Sequence, residues 1–548
     1  MNLAKKQNIQ TLCMGILFVL LTLLLIWKAQ HGFPSWDEST YLSLMYRFYL
    51  GDLPIIEEWH PTQFSALFQL PLFTLYMKLF GSNEGVFLFY RYVFIVMQFA
   101  VSLLIYFKTK RYGWISIPIT VMYYLFSYNQ LVSTQYTNVS FACMVSFALL
   151  LCLPGKYAKL EAYLAGIVYA FATLCTPHLV LPYVLGSIYL GILSMRKSNK
   201  HFYIRKQWKY VTLGILTIAI IYVLYLTTRA PWSMYLKYLP YVLGNQDHGG
   251  GVLQWIINTL ALGKMIWMEN QVTLILVPLY FIGFLLLVFD KKRMEHKSYY
   301  LWMMMVFSIL LMLAYRNVKT NYAMLVYVPM GIILLLLSEN YEKALANIFY
   351  IGIVYVLMIN ISSNTIINAS RCACVVCMIP ALIFLEENIQ DKAMFSCFGV
   401  LLVVMIGIEL YDKLEKFDVD SNDTRKDSIV LLEEGAMKGI YTTASQAENY
   451  ATCINELQSI ETNEKDNILI LGLSTWLYLE IEEPDEYSTH TVWLKPQREE
   501  EIEYMQAYFT EFPENAPDTI WVDHDFEDYL SYFDNGETVI VEGYTEER

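Results

Sequence analysis

Two adjacent carboxylates, Asp37 and Glu38, follow the first apolar run of the chain after only a short polar stretch. Carboxylates beside a membrane span meet water and lipid headgroups at once. A carboxylate there can take a proton from a hydroxyl that arrives from water while a second substrate arrives through the bilayer. The pair therefore suits chemistry in which one substrate arrives from the bilayer and the other from outside. Paired acids could also bind a divalent cation as a cofactor, although the sequence assigns no set of metal ligands.

Both acids have alternative roles. The segment from Trp36 to Leu50 carries an apolar, aromatic face and a polar face, which predicts an amphipathic helix in the plane of the membrane interface, ended by Gly51. Asp37 could cap this helix, because an acid at a helix start is stabilised by the helix dipole. Glu38 could position a substrate, hold a metal ion or be solvated.

The composition is that of a membrane protein. The 548 residues are 56% hydrophobic, with a mean hydropathy of +0.38. The first apolar run, from Ile9 to Trp27, lacks a small-residue cleavage site and reads as a retained span. Apolar runs predict about thirteen spans, near 9–28, 86–107, 114–127, 138–153, 161–175, 178–195, 210–228, 272–289, 299–315, 322–338, 345–361, 372–386 and 393–411.

The distribution of Lys and Arg predicts the orientation. With the N-terminus inside, the inner segments hold 19 of these residues and the outer segments before residue 412 hold ten. An odd span count then places the C-terminal part outside. Two outer segments are long, about 30–85 and 229–271, and long outer loops of many-span proteins tend to carry function.

Residues 412–548 differ sharply in charge from residues 1–411. They hold 34 acidic and 9 basic residues, against 17 and 29 in the earlier part. This predicts an all-α transmembrane domain over 1–411 and an acidic, extracytoplasmic α/β domain over 412–548, which would repel nucleic acid. The predicted strands are 467–471, 490–494, 519–523 and 538–541, and the predicted helices are 444–458 and 498–509.

The first outer loop carries further elements around the acidic pair. An apolar stretch from Phe64 to Phe80 predicts a second helix that lies on or dips into the membrane. A Gly-Asp turn stands at Gly51, a His-Pro element at His60, and a Phe-Gly pair with a following glutamate at Phe80 to Glu84. In this arrangement the chain resembles the membrane glycosyltransferases of the GT-C fold, in particular the group of protein O-mannosyltransferases, aminoarabinose transferases and lipopolysaccharide glycosyltransferases. The likeness is specific over 9–110 and looser to about 411.

The resemblance implies an inverting transferase that uses a polyprenyl-phosphate-linked sugar and an extracytoplasmic glycan, lipid or protein acceptor. Asp37 matches the family's general base, and Glu38 matches its second acid. The chain departs from the family at His60-Pro61-Thr62-Gln63, where aminoarabinose transferases have Lys-Pro-Pro. Recognition of the donor phosphate or of the acceptor is therefore expected to differ.

Substrate-binding candidates are the polar residues of the outer segments. A leaving phosphate needs Arg, Lys or His to hold its charge. Tyr41 could instead anchor the membrane interface, and Arg91 could pair with an acid of the first loop. Arg316 and Lys319 could extend to lipid headgroups, and the Asp-His pair before three glycines could be a solvated turn. The candidates are Tyr41, His60, Gln63, Arg91, Asp247, His248, Arg316 and Lys319.

Two other functions compete with glycosyl transfer. A polysaccharide polymerase or ligase would also handle polyprenyl-linked glycans, but it would rely on outer-loop arginines, and few are present. A transporter would place ionisable residues deep within spans and show internal repeats. The sequence shows few such residues and no obvious repeat.

Overall fold

A computed structural model describes the chain over residues 3–196, 202–244, 252–315, 322–338, 341–362, 366–417, 425–459, 467–481, 487–495, 499–533 and 538–543. The part up to residue 417 is almost entirely helical. Its helices are α1 (Leu3–Ala29), α2 (Trp36–Leu50), α3 (Phe64–Phe80), α4 (Val86–Thr109), α5 (Ser116–Leu125), α6 (Tyr136–Cys152), α7 (Ala158–Cys175), α8 (Val180–Met195), α9 (Phe202–Arg229), α10 (Trp232–Gly244), α11 (Val252–Met268), α12 (Thr273–Phe289), α13 (Lys297–Ala314), α14 (Tyr327–Leu336), α15 (Lys343–Ser362), α16 (Ile366–Glu387) and α17 (Lys392–Glu415).

The apolar helices indicate a membrane-embedded protein. Within the described residues, eight helices are long and apolar enough to cross a membrane, or nine if the sharply bent pair of α11 and α12 forms one span. The predicted count of thirteen is not confirmed. Several predicted spans correspond to helices shorter than the ~20 residues that a bilayer requires, and α4 and α5 run together as one stretch, Val86–Leu125, broken near Gly113.

The helix ends that we predict to be outside lie on one face of the helical part. The backbone N–H of Tyr441 donates to Gln30 at the end of α1, and Gly85 before α4 donates to Gly435. On the opposite face, Lys108 at the end of α4 forms an ion pair with Glu161 of α7 at 2.6 Å. The face that carries residues 425–543 therefore also carries the first loop. Its assignment to the outside of the cell stays a prediction.

Helices α2 and α3 have the predicted bounds, and both end at a glycine with positive φ, Gly51 at 135° and Gly81 at 73°. The interpretation of α2 as a helix with a water-exposed polar face is wrong. Residues 38–48 of α2 are all buried. The polar side of α2 packs against the C-terminal part of the chain. The Ser39 and Thr475 hydroxyls are 2.8 Å apart, and Ser43 donates to the Thr475 carbonyl at 2.8 Å.

We call the described residues 425–543 the tail. Three parallel strands form its centre in the order β3-β4-β5, flanked by α18 and α19, and two short antiparallel strands precede them. Parallel strands need crossover connections, which the helices provide. The elements are β1 (Val430–Leu431), β2 (Tyr441–Thr442), α18 (Ala444–Ser459), β3 (Ile468–Leu471), α19 (Glu499–Glu511), β4 (Thr519–Asp523) and β5 (Val539–Gly543).

The predicted strand at 490–494 is wrong. This segment has no regular structure and instead bonds to the first loop: the N–H of Trp59 donates to the His490 carbonyl at 2.8 Å, and the N–H of Val492 donates to the Glu58 carboxylate at 3.3 Å. Its backbone polar groups therefore find partners outside the sheet.

The tail and the first loop share a hydrophobic core. One cluster of buried side chains joins α2, α3 and the start of α4 to tail residues such as Ile440, Cys453 and Trp476. The tail sheet has a second, smaller cluster of its own on the other side. The helix α17 also continues through the predicted boundary at 411 to Glu415. A truncation at that boundary would uncover the core of the first loop, so point substitutions are the cleaner test of the tail.

We predict that Ile440→Ala destabilises the protein by about 2–5 kcal/mol, because it leaves a cavity in this shared core. Ile440 is fully buried, whereas Ile429, eleven residues earlier, is 73% exposed. Ile429→Ala is therefore a matched control and should change stability by less than about 0.5 kcal/mol. Thermal unfolding of the purified proteins in detergent measures both effects. Equal effects of the two substitutions would contradict a shared core.

Candidate functional site

Asp37 lies in the first turn of α2 and is partly buried. The residue that caps this helix is Ser35, whose hydroxyl accepts a hydrogen bond from the backbone N–H of Glu38 at 3.3 Å. The alternative that Asp37 is itself the cap is therefore wrong. Its carboxylate stands beside the helix start, where the dipole favours the charged form.

Glu38 and Arg91 form a buried ion pair. Arg91 of α4 donates through Nε and Nη2 to both carboxylate oxygens of Glu38, each at 2.8 Å. The same guanidinium donates to the backbone carbonyls of Ala29 at 2.9 Å and Gly32 at 3.1 Å. Both side chains are about 95% buried. The geometry therefore gives Glu38 and Arg91 a positioning role: they join α1, α2 and α4.

A second buried arginine organises the rest of the first loop. Arg47 of α2 forms ion pairs with Asp52 and, at 2.9 Å, with Glu58, and it donates to the Glu57 carbonyl. Burial raises the pKa of Glu58, although the charge of Arg47 lowers it. Burial and the charge of Asp52 raise the pKa of Glu57 to about 7. The arginine thus folds an acidic loop back onto α2.

Gln63 fastens the same loop from its other end. Its side-chain amide donates to the carbonyls of Glu58 at 2.7 Å and His60 at 2.9 Å, and its oxygen accepts from the N–H of Ile55 at 2.8 Å. Ile55 has a positive φ of 71°, which is costly for a β-branched residue. Gln63 stabilises that turn, so its geometry is that of a structural residue.

Tyr41 and His60 are connected through Thr62. The Tyr41 hydroxyl is 2.5 Å from the Thr62 hydroxyl, which is 2.9 Å from Nδ1 of His60. The backbone N–H of Thr62 also donates to this Nδ1, which is therefore the acceptor nitrogen of the ring. This chain of contacts fixes the ring of His60. It begins at Tyr41, which lies one turn of α2 beyond Asp37.

The charges of Asp37 and Arg371 both act on the phenol of Tyr128, which lies in the loop between α5 and α6. Burial raises the pKa of Tyr128 well above its ordinary range, the charge of Asp37 raises it further, and the charge of Arg371 lowers it. The Arg371 guanidinium lies 6.0 Å from the centre of the Tyr128 ring and donates to Asn129 at 2.5 Å. The charges of a carboxylate and a guanidinium therefore both act on Tyr128.

The loop that carries Tyr128 is held in an unusual conformation. Asn129 and Gln130 have positive φ values of 49° and 63°, and such residues persist where the surroundings fix them. Lys413 of α17 contacts Ser127 and donates to the Gln130 carbonyl. These contacts could not be predicted from the sequence, because Arg371 and Lys413 are separated from the loop by more than two hundred residues.

The remaining candidates lie elsewhere. Asp247, His248, Arg316 and Lys319 fall outside the described residues. Among the residues that the structure does describe, no group of three or more His, Cys, Asp or Glu side chains could hold a metal ion. The site described thus consists of Asp37, the chain from Tyr41 to His60, and the cluster around Arg371.

The sequence matches no protein-family model, and no curated protein matches it as a relative.

The ion pair of Glu38 and Arg91 can be tested by a double-mutant cycle. We predict that Arg91→Met lowers stability by about 3–5 kcal/mol, because it leaves a buried carboxylate without its partner. The double variant Arg91→Met with Glu38→Met should recover most of this loss, because both charges are then removed. Thermal unfolding of the two single variants and the double variant measures the coupling. Additive effects would show that the pair does not position these helices.

Proposed function

We propose that this protein is an inverting membrane glycosyltransferase, with Asp37 as the general base. It transfers a sugar from a polyprenyl-phosphate-linked donor to a hydroxyl of an extracytoplasmic acceptor. The observation that carries the proposal is a partly buried carboxylate on a rigidly held helix, whose charge acts on the same tyrosine, Tyr128, as the charge of Arg371. The resemblance of the first loop to GT-C enzymes supports the same reaction.

The reaction needs one base and one anion-binding group. Asp37 takes the proton of the acceptor hydroxyl, the acceptor oxygen bonds to the anomeric carbon, and the bond from that carbon to the phosphate oxygen breaks. Displacement by one nucleophile inverts the anomeric centre, and polyprenyl phosphate leaves as an anion. The positions of Asp37 and Arg371 around Tyr128 suit these two tasks.

Arg371 is the best-placed group for the donor phosphate among the described residues. A guanidinium binds phosphate through charge-assisted hydrogen bonds, and Asn129 fixes its orientation. Arg91 and Arg47, which are also arginines of this face, form ion pairs with Glu38 and Glu58. The charge of Arg371 also acts on the buried acids Glu409 and Asp412. We propose Arg371, on the α16 side, for the phosphate because its charge acts on the same phenol as that of Asp37.

An apolar cavity of about 420 Å³ begins one helical turn from Arg371. It is lined by α12, α13, α14 and α16, and Cys374 of α16 belongs to its wall. Residues at positions i and i+3 share a helix face, so Arg371 and Cys374 point to the same side of α16. Phe281 of the same wall is 58% exposed on the apolar surface of the helices. This cavity suits the isoprenoid chain of a donor that enters sideways from the bilayer.

We predict that Asp37→Asn lowers transfer by about 10²–10⁴-fold, the usual contribution of a general base. The expected effect is on the rate, because asparagine keeps the size of the side chain and loses the basic oxygen. Transfer of labelled sugar from a panel of polyprenyl-phosphate sugars, with the protein in proteoliposomes, measures it. Glu84→Gln, an acid-to-amide change at an exposed position of the same loop, is the control. Wild-type transfer by Asp37→Asn would refute the proposed mechanism.

For substitutions of Arg371 we expect weaker binding of the donor. Arg371→Gln should raise the KM for the donor by about 10–100-fold, because a charged hydrogen bond contributes ~1.5–3 kcal/mol. Arg371→Lys should lose less, since it keeps the charge but not the planar donor geometry. Lys392→Gln, at an exposed cation at the start of α17, serves as the control. An unchanged donor KM in Arg371→Gln would place the phosphate elsewhere.

A further inference from the structure

The tail contributes an aromatic ring to the surroundings of Asp37. Trp493 of the tail stacks on Trp36, with ring centres 4.4 Å apart and planes at 15°. The ring of His60 lies on Trp493 at 5.5 Å. We call Trp36, His60 and Trp493 the aromatic wall. Trp36 is the first residue of α2, so the wall lies at the start of the helix that carries the proposed base.

The position of Trp493 is fixed by the first loop. Its neighbour Val492 donates its N–H to Glu58, whose carboxylate is held by Arg47 at 2.9 Å. His490 accepts from the N–H of Trp59 at 2.8 Å. Buried hydrogen bonds to a charged group are among the stronger ones. The segment that carries Trp493 is therefore set against the first loop by the same arginine that folds that loop.

The wall offers flat apolar rings together with hydrogen-bond donors. The indole N–H groups of Trp36 and Trp493 are buried, and neither finds an acceptor among the described residues. The ammonium group of Lys495 lies 5.3 Å and 5.2 Å from the two ring centres. Buried donors without acceptors are costly, so a ligand that brings oxygen acceptors would be favoured here. Both indole rings are also partly exposed.

We propose that the aromatic wall binds the acceptor and that the acceptor is a saccharide. This inference rests on the proposed function, since it places the acceptor hydroxyl at Asp37. A pyranose ring combines an apolar face of C–H groups, which packs on an indole, with ring and hydroxyl oxygens that accept from N–H donors. A peptide acceptor would bring backbone N–H donors of its own, and the wall offers donors, not acceptors. Trp493 is thus the residue through which the tail selects the acceptor.

The first test separates acceptor binding from the chemical step. In the full chain, Trp493→Ala should raise the KM for a saccharide acceptor about tenfold, with less than twofold change in kcat and in donor KM. Trp493→Phe should restore most of the acceptor affinity, because it keeps a flat ring. Tyr532→Ala, at a tyrosine of the tail that is 51% exposed, is the control. If Trp493→Ala changes kcat and both KM values by similar factors, and Trp493→Phe does not restore them, Trp493 has only a structural role and the proposal is wrong.

The second test names the acceptor class. Methyl glycosides of common hexoses and an N-acetyl serine amide are compared as acceptors, and the same compounds are titrated into the Asp37→Asn protein while tryptophan fluorescence is recorded. The expected result is transfer to the glycosides and a saturable fluorescence change that Trp493→Ala abolishes. Preference for the serine compound, or no saccharide-dependent change, would overturn the inference.

The two proposals fail in different ways. If Asp37→Asn still transfers sugar at the wild-type rate, the general base assignment is wrong, while the titration still decides whether the wall binds saccharide. If Asp37→Asn is inactive and the titration shows no binding, the transferase proposal stands and the saccharide site is wrong.

Discussion

The contact on which the rest of this face depends is the buried pair of Arg91 and Glu38. One guanidinium holds both oxygens of Glu38 and the carbonyls at the end of α1. Three helices that are separate in the chain thereby meet at one charge. A buried arginine is tolerated only where its donors find partners, and here the partners are the backbone at the end of α1 and the acid at the start of α2. The position of Asp37 is a consequence, since it is the residue before Glu38.

The tail completes this arrangement from the other side. The polar side of α2 would be exposed to water in an isolated interfacial helix, but Ser39 and Ser43 bond to Thr475 of the tail. Because both faces of α2 are covered, the helix cannot rotate without breaking either the shared core or these bonds. The carboxylate at its start is thus held by packing, which is what a positioned base requires.

Much of the local structure could be predicted from the sequence. Alternating and helical apolar patterns gave α2, α3 and three of the tail strands, because these patterns reflect burial within one element. The sequence indicates that Arg91 could pair with an acid of the first loop, and the structure confirms this. Which acid it meets, and the contact of Arg371 with Asn129, could not be predicted, since each contact joins residues more than fifty positions apart. The segment 490–494 looked like a strand because its residues suit one, yet its hydrogen bonds go to the first loop. Tertiary contact decides such cases over propensity.

The two adjacent carboxylates differ for a geometrical reason. Successive residues of a helix point about 100° apart, so Asp37 and Glu38 cannot face the same neighbour. Glu38 points to Arg91, and its charge is cancelled by a bidentate ion pair. The charge of Asp37 instead acts on Tyr41 and Tyr128. Both oxygens of Glu38 are engaged by the guanidinium, which makes Glu38 the less suited of the two to act as a base. The helix therefore divides the pair into an anchor and a candidate base, and the anchor is what keeps the base in place.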